Sequence, residues 1–214
     1  TVTDIDGNEY PVVKIGSQYW MGSNLRTTRL KDGSEIYKVE SLDEWPVAGK
    51  AAYTVYNCDF ENNTEREGFL YNRMSIEYDK LCPDGWHVPT TTDWDMLAVS
   101  QGGGPDDAQC FANVTEGLKS TDGWSGFAGT NATGFDGYPA GYLYSVSIGM
   151  DGDTPVYSSG FGYFGDTAGW WSMSGFRSES LFFRAFVSYS HDMERFSCSS
   201  AYAFPVRCVA DYTE

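Results

Sequence analysis

The chain has 214 residues, 41% of them hydrophobic and 16% aromatic, which is enough to bury a sizeable core in one domain of α+β or mostly β type. Thirty acidic against 14 basic residues give a net charge of −16, so the overall field opposes binding to nucleic acid or to an anionic membrane surface. No apolar run approaches about 18 residues, the length of a membrane-spanning helix, and the start at Thr1 shows no signal-peptide pattern.

The N-terminal segment predicts short strands. Residues 3–10 and 12–15 alternate around a tight turn at Asp6-Gly7-Asn8, and residues 18–21 suit a further strand. The Asp4-x-Asp6-Gly7 pattern is also similar to the opening of a calcium loop. The glycine comes too early for such a loop, and no bidentate acid follows at the required distance, so the pattern favours a hairpin and predicts no metal.

Residues 31–66 form a polar stretch with few periodic signals. Its one apolar run, at residues 51–56, predicts a single strand. We therefore expect a long insertion that carries one strand.

A helix is predicted directly after the stretch at residues 81–90. The Pro83-Asp84-Gly85 triplet predicts a chain reversal, because proline presets φ and glycine accepts positive φ. Thr90 and Asp93 have the spacing of a capping box, which places the helix start near residue 91. Trp94, Leu97 and Ala98 give that helix one apolar stripe, and the glycines at 102–104 end it.

The second half of the chain predicts one more helix and several strands. Pro105 and the acids after it suit the first turn of a helix that ends before Gly117. Residues 124–171, rich in Gly, Ser, Thr, Asp and aromatics, predict short strands and long loops. Strand patterns return at 181–187 and 203–209.

Five cysteines are scattered singly, with no Cys-x-x-Cys pair. This spacing disfavours zinc and thioredoxin-like chemistry and favours disulfides in an exported protein over reduced thiols. One cysteine must be left over. The five are Cys58, Cys82, Cys110, Cys198 and Cys208.

Ordered motifs along the whole chain carry a family resemblance. They include the opening at residues 4–8, the Cys82-Pro83-x-Gly85-Trp86-His87-Val88-Pro89 stretch, Gly129-Thr130-Asn131, Trp170-Trp171-Ser172 and Val206-Arg207-Cys208-Val209. In this order they resemble the Fibrobacter succinogenes major paralogous domain family. The resemblance implies an α+β fold over residues 1–214: a single C-type lectin-like domain with two helices, short twisted antiparallel sheets and long loops.

The resemblance also implies where the protein acts. Such domains are typical of exported or surface-anchored proteins of Bacteroidetes, with the signal or anchor outside this chain. A disulfide from the first helix to the last strand, similar to the one in C-type lectin domains, would join Cys82 to Cys208. The sugar-binding triplets of calcium-dependent lectins are absent, so calcium-dependent sugar binding is not implied.

Catalysis has little support in the sequence. Only His87 and His191 are available for general acid/base work near neutral pH, and His87 belongs to the structural stretch. No nucleophile elbow, phosphate-binding loop or metalloprotease helix occurs. We therefore expect no enzyme and no cofactor, with a formylglycine-generating-enzyme-like or glycoside-hydrolysing activity as the remote alternatives.

Aromatic and basic residues in the last quarter form the candidate binding site. Aromatic faces stack on sugar rings or fill protein pockets, and arginine supplies forked donors. We expect a recognition module for a glycan or surface protein, with a filament or assembly subunit as the alternative. At least one of the two tryptophans should face the core, because neighbouring strand residues point to opposite sides. The candidates are Trp170, Trp171, Phe176, Arg177, Tyr189, His191 and Tyr202.

Overall fold

Strands dominate the regular structure of the chain. The computed structural model describes residues 1–47, 49–77, 80–104, 110–152, 154–173 and 181–211. Strand accounts for 38% of residues and helix for 12%, so the predicted α+β class is wrong and the protein is mostly β. The main reason is that the segment predicted as short strands and loops pairs into the two longest strands of the described chain.

The described residues contain two α-helices, two 3₁₀ helices and sixteen strands. The α-helices are α1 (Arg73–Ile76) and α2 (Thr91–Ser100), and the 3₁₀ helices are Leu42–Val47 and Tyr56–Cys58. The strands in chain order are β1 Val2–Thr3, β2 Glu9–Tyr10, β3 Val12–Ile15, β4 Gln18–Met21, β5 Tyr37–Lys38, β6 Ala52–Thr54, β7 Leu70–Asn72, β8 Trp86–His87, β9 Cys110–Phe111, β10 Ala140–Asp151, β11 Thr154–Phe164, β12 Thr167–Ser172, β13 Leu181–Val187, β14 Met193–Cys198, β15 Ala203–Phe204 and β16 Val209–Ala210.

These strands form four sheets. The largest has the order β11-β10-β15-β7-β6-β5, and two four-stranded sheets have the orders β12-β13-β14-β9 and β3-β4-β16-β8. Strands β1 and β2 pair by themselves. Strand β15 pairs with β7, and β16 pairs with both β4 and β8. The last two strands therefore hydrogen-bond to elements from the first half of the chain.

The central part of the six-stranded sheet is covered on both faces. On one face Leu70, Leu143 and Ala203 pack against Val39 and Trp45, the last from the first 3₁₀ helix. Alternate residues of the same strands point to the opposite face, because strand side chains have a period of two. These residues join the main core cluster, and they are Tyr53, Tyr71, Tyr142 and Phe204.

The sheet β12-β13-β14-β9 lies between two cores. Phe183 and Val187 face the main cluster, whereas Phe186 faces a second cluster. Helix α2 covers that second side with its predicted apolar stripe. At β12 both faces of the sheet are covered, and every residue of this strand is buried. The second cluster also contains Ile15, Trp20, Trp94, Leu97, Ala98, Phe135, Trp170 and Val209.

The predicted capping box is present at the start of α2. The Asp93 backbone N–H donates to Thr90 Oγ1 at 3.3 Å, and the Thr90 N–H donates to the Asp93 carboxylate at 2.8 Å. His87 joins this cap to the chain end, with Nε2 3.1 Å from Asp93 Oδ2 and Nδ1 2.7 Å from Asp211 Oδ1. The bond to Asp93, followed by the one to Asp211, raises the pKa of His87 despite its partial burial. His87 therefore has a structural role, because its ring connects the N-terminal cap of α2 to Asp211 near the end of the chain.

The disulfide implied by the resemblance is present. Cys82 and Cys208 are bonded across a sequence separation of 126 residues and are fully buried. Cys58, Cys110 and Cys198 remain as thiols, so the described chain contains one disulfide rather than the two that five scattered cysteines suggested.

Arg207, next to this disulfide, is a buried cation. Its guanidinium donates to Asn24 Oδ1 at 2.7 Å and to the carbonyls of Met21 and Phe135, and it stacks 4.5 Å from the Phe135 ring. Burial lowers its pKa to about 9, so it stays charged at neutral pH. These donors connect two separate segments, residues 21–24 and Phe135, to the last strands.

Three details differ from the sequence-based expectations. Of the predicted helix at 105–116, residues 105–109 lie outside the described ranges, and Cys110–Phe111 form a strand that pairs with β14. The insertion at 31–66 carries two strands, β5 and β6, where one was expected. Strands β10 and β11 form a long hairpin whose register runs from Ala140 opposite Phe164 to Asp151 opposite Thr154.

Candidate functional site

An open groove lies between the β10–β11 hairpin and the β12-β13-β14 face. Its volume is about 470 Å³. Strands from both sheets contribute its walls, and the segments that follow β13 and β14 close its ends. The lining residues are Tyr142, Tyr163, Asp166, Thr167, Phe183, Val187, Ser188, Tyr189, Phe196, Ser197 and Tyr202.

A row of tyrosines forms the wall on the hairpin side. Tyr142 stacks on Tyr163 with ring centroids 5.0 Å apart and planes 11° apart, and on Tyr202 at 6.2 Å and 27°. Burial, reinforced by Tyr163, raises the pKa of Tyr142, so its hydroxyl stays protonated. Tyr163 is 54% exposed and offers its outer ring face to solvent.

Phenylalanine and tyrosine side chains form the opposite wall. Phe183 and Phe196 face each other across β13 and β14 and stack at 5.3 Å. Phe183 is buried and forms the floor, whereas Phe196 and Tyr189 are 38% and 66% exposed. The Tyr189 hydroxyl donates to Glu194 Oε1 at 2.9 Å. Burial and this carboxylate raise the pKa of Tyr189 to about 12, so its ring stays neutral.

The ionisable groups along the groove are acidic or neutral. Asp166 is the one carboxylate among the lining residues, and its Oδ1 accepts hydrogen bonds from the hydroxyls of Ser188, at 3.0 Å, and Ser125. No Lys, Arg or His is among the lining residues. The groove therefore combines exposed aromatic faces, hydroxyl groups and one fixed carboxylate.

A buried lysine holds the loops at one end of the groove. Lys119 is fully buried, and its Nζ donates to the carbonyls of Val187 and Ser190 at 2.6 Å and of Phe127 at 3.0 Å. Burial lowers its pKa to about 8, which leaves it mostly charged at pH 7. These three bonds fix the segment after β13, which presents Tyr189 to the groove.

The sequence was then compared with known protein families. The profile of the Fibrobacter succinogenes major domain matches residues 13–210, which is nearly the whole chain. The chain belongs to this family. Searches of the curated proteins and of the solved structures gave no match to it.

The two tryptophans of this Fibrobacter succinogenes major domain lie in the core. Trp170 and Trp171 are fully buried. Trp170 Nε1 donates to Asn24 Oδ1 at 2.8 Å, and Trp171 Nε1 donates to the Tyr71 carbonyl at 2.7 Å. The expectation that at least one of them faces the core is confirmed for both. With each indole N–H satisfied and no exposed surface, we leave both out of the site.

The other sequence-predicted residues of the family member divide into three groups. Tyr189 and Tyr202 line the groove. His191 is half-buried beside Phe127, with ring centroids 5.6 Å apart, and is not among the lining residues. Phe176 and Arg177 lie outside the described residues.

Sequence reasoning missed most of the groove. Tyr142 and Tyr163 face each other only through the β10–β11 pairing, which the Gly- and Ser-rich sequence concealed. Phe183 belonged to the strand predicted at residues 181–187, whereas Phe196 lies in a polar stretch for which no strand was predicted. Tyr163 also has a positive φ of +66°, a strained conformation for a tyrosine. No sequence pattern indicated this conformation.

The described residues contain no cluster of metal-ligating side chains and no helix that could span a membrane. No three His, Cys, Asp or Glu side chains there are grouped to hold a metal ion. At the N-terminus, Asp4 Oδ1 instead accepts the backbone N–H groups of Asp6 and Asn8, at 3.0 and 2.9 Å, as part of the turn. Among the residues that the structure describes, no helix combines the length and apolar character needed to cross a bilayer.

Proposed function

We propose that the protein is a non-catalytic recognition module that binds a glycan in the aromatic groove. One observation carries the proposal: exposed rings of Tyr163, Tyr189 and Phe196 surround a single open groove beside a fixed carboxylate. Large aromatic side chains gain most from burial, so three of them left partly exposed around one concavity favour a ligand that covers them.

The chemistry of the groove suits a sugar. The apolar C–H faces of a sugar ring can lie on a tyrosine or phenylalanine face, while its hydroxyls need hydrogen-bond partners at the edges. Asp166 and the tyrosine hydroxyls offer such partners. The groove volume of about 470 Å³ also falls within the range of about 300–1,000 Å³ that is usual for small-ligand sites.

The backbone at Tyr163 supports a functional role for its side chain. Its φ of +66° lies in the left-handed region, which glycine adopts without cost and which costs other residues about 1–2 kcal/mol. Such strain is concentrated at functional sites, where the side chain is worth its conformational cost. A tyrosine retained at this position is consistent with direct contact to the ligand.

The charge of the groove favours an uncharged glycan. Asp166 contributes a negative charge, no lining residue is basic, and the chain carries a net charge of −16. Sialylated, sulfated or uronic acid sugars would meet repulsion without a cation to offset it. We therefore expect neutral oligosaccharides to bind in preference to acidic ones.

Display outside the cell is part of the proposal. The buried Cys82–Cys208 disulfide supports an oxidising environment, where such bonds form and persist. A recognition module of this kind would act at the cell surface, attached through parts of the full-length protein that precede or follow this chain. The lining of the groove combines aromatic faces with a single carboxylate, Asp166. Because this lining does not provide the second acid that a carboxylate pair needs, it supports binding without catalysis.

Binding to an array of neutral and acidic glycans tests the proposal. We expect saturable binding to a neutral oligosaccharide, unchanged by a calcium chelator, and its loss in a Tyr163→Ala/Phe196→Ala variant. The matched control is Tyr19→Ala, which removes a 48% exposed tyrosine from β4 instead. A folded wild-type protein that binds nothing on the array, or a double variant that binds as well as the control, would contradict the proposal.

Proper folding of each variant is checked separately. A Tyr163→Gly variant removes the ring and relieves the backbone strain, so its stability should remain within about 1 kcal/mol of wild type while glycan binding is lost. This result would separate a contact with ligand from a contribution to folding. Retained binding in Tyr163→Gly would exclude that ring from the site.

A second candidate function is a structural role in a surface assembly. The observation that favours it lies outside the groove, at the far end of the β10–β11 hairpin, where Ile148 and Met150 are exposed to solvent. The two candidates use different surfaces of the molecule and are tested by different variants.

A further inference from the structure

The outer half of the β10–β11 hairpin is an apolar ribbon without a covering layer. From Val146 to Asp151 every residue of β10 is exposed, and Ile148 and Met150 reach 65% and 62%. On β11, Val156 and Tyr157 are also exposed. An isolated two-stranded ribbon is marginally stable in water, so a ribbon of this composition gains from a partner.

The hairpin is also a weakly charged part of an acidic chain. Between Ala140 and Phe164 the sequence has two charged residues, Asp151 and Asp153, and Asp151 is the last residue of β10, at the tip of the hairpin. The remaining surface of the protein carries most of the net charge of −16. Two copies that approach each other elsewhere would bring acidic surfaces together, whereas the sides of the hairpin can meet without that repulsion.

Strand β11 is an open edge of the six-stranded sheet. It pairs with β10 on one side, and from Val156 to Gly162 no described residue makes a backbone hydrogen bond to its other side. Exposed edges are usually protected by lysine, by proline or by a bulge in the edge strand. Here the bulge lies on the inner strand, between Ser147 and Gly149, and the proline of β11, Pro155, is confined to the tip end of the strand, so that Val156 to Phe164 contains no charge and no proline.

We propose that β11 pairs antiparallel with β11 of a second copy across a two-fold axis. The two six-stranded sheets would then continue into each other, with the exposed Val156 and Tyr157 buried at the junction. Isologous pairing of this kind uses one surface patch on both subunits and closes at a dimer.

The charge distribution favours this occupant and this direction. Antiparallel pairing places the two acidic tips at opposite ends of the joined strands, on the order of 30 Å apart for eleven residues. This separation exceeds the Debye length of about 8 Å at physiological ionic strength. Parallel pairing would set the aspartates of the two tips side by side.

The affinity of the proposed dimer should depend on salt concentration. No ion pair is formed at the proposed junction, while the two chains repel each other through their net charge. Salt screens this repulsion without weakening the contact, so dimerisation should become tighter as salt increases. An interface built on ion pairs would show the opposite trend.

Sedimentation velocity of the whole chain at 50 and 500 mM NaCl tests the proposal. We expect a concentration-dependent monomer–dimer equilibrium that is tighter at 500 mM. Val156→Glu places an unpaired charge in the buried junction, where its desolvation is costly, and should weaken dimerisation at least about tenfold. The matched control Val99→Glu makes the same change at an exposed position of α2 and should leave dimerisation intact.

Amide hydrogen exchange provides the second measurement. In a dimer, the amides from Tyr157 to Gly162 should exchange more slowly as protein concentration rises, whereas β5, the opposite edge of the same sheet, should not change. A wild-type chain that stays monomeric up to millimolar concentration overturns the proposal. Dimerisation that persists in Val156→Glu, or protection that appears elsewhere, overturns it too, because either result places the interface on another surface.

Discussion

Two aromatic regions of this molecule look alike in sequence and differ in what their polar atoms do. In the core, Trp170 and Trp171 are fully buried, and each indole N–H donates to an acceptor in another segment of the chain. In the groove, Tyr163 and Tyr189 are exposed; the Tyr163 ring stacks on Tyr142, and Tyr189 is held by its hydroxyl, which donates to Glu194. The comparison teaches that a stacked aromatic is structural where its polar atom is satisfied inside, and available for recognition where a ring face remains open.

Truncation of a core tryptophan should give the largest effect. Trp171→Ala removes a ring that packs at 5.0 Å on Phe204 and leaves the Tyr71 carbonyl without its donor. We expect a loss of about 3–5 kcal/mol in the free energy of unfolding, measured by urea denaturation. Tyr163→Ala, the matched change in the groove, should cost no more than about 1 kcal/mol. Similar losses for the two variants would remove the distinction between the regions.

Loss of the disulfide should give the next largest effect. A Cys82→Ala/Cys208→Ala variant frees a loop of 126 residues, and removal of a native disulfide typically costs about 2–5 kcal/mol. Since the bond lies in the core and away from the groove, we expect glycan binding per folded molecule to be retained. Thermal unfolding with and without a reductant, followed by binding below the unfolding temperature, measures both quantities. A selective loss of binding in the folded variant would show that the disulfide shapes the groove.

Local sequence signals predicted helix α2 and strand β13 well and the groove poorly. The Thr90–Asp93 capping box and the apolar stripe of α2 act within one helical turn, so they can be read from neighbouring residues. Strand β13 matches its predicted range because Arg184 alone interrupts its apolar run. The Cys82–Cys208 bond followed from the family resemblance and not from spacing.

The hairpin could not be predicted because its stability is not local. Glycine and serine in β10 and β11 resemble turn formers, yet Gly141 is required within β10: its φ is +65°, and an added Cβ would lie 2.5 Å from the Gly162 carbonyl oxygen. The groove depends on that hairpin and on two further segments. Alternation also failed for Trp170 and Trp171, because the β12 sheet has a core on each side and no solvent face there.

Lys119 links the two regions, and its replacement should have an intermediate effect. Lys119→Met keeps the apolar stem but leaves the carbonyls of Phe127, Val187 and Ser190 without their donor. Buried groups left unsatisfied cost about 1–3 kcal/mol each, and with partial access of water we expect a total near 2–3 kcal/mol. Binding should weaken as well, because the Tyr189 segment loses its anchor.

The control for Lys119→Met is Lys14→Met at an exposed position, which should change neither stability nor binding. Denaturation and glycan titration of the same samples separate the two effects. If Lys119→Met lowers stability and leaves binding unchanged, the groove does not depend on the core beneath it, and the comparison of the two regions becomes sharper.

The smallest effect should come from the titration of His87, which is not among the residues that line the groove. Its hydrogen bonds to Asp93 and Asp211 raise its pKa in the folded state above the ordinary value of 6.5. The protonated form is therefore favoured by folding, and its contribution to stability is fully present below pH 6.5 and is lost as the pH rises through the folded-state pKa. We expect the unfolding midpoint in urea to fall over this window in the wild type relative to His87→Gln, while glycan binding shows no matching change. A His87→Gln variant with the wild-type pH profile would mean that His87 does not titrate with folding, and that the cap of α2 is held by Asp93 and Thr90 alone.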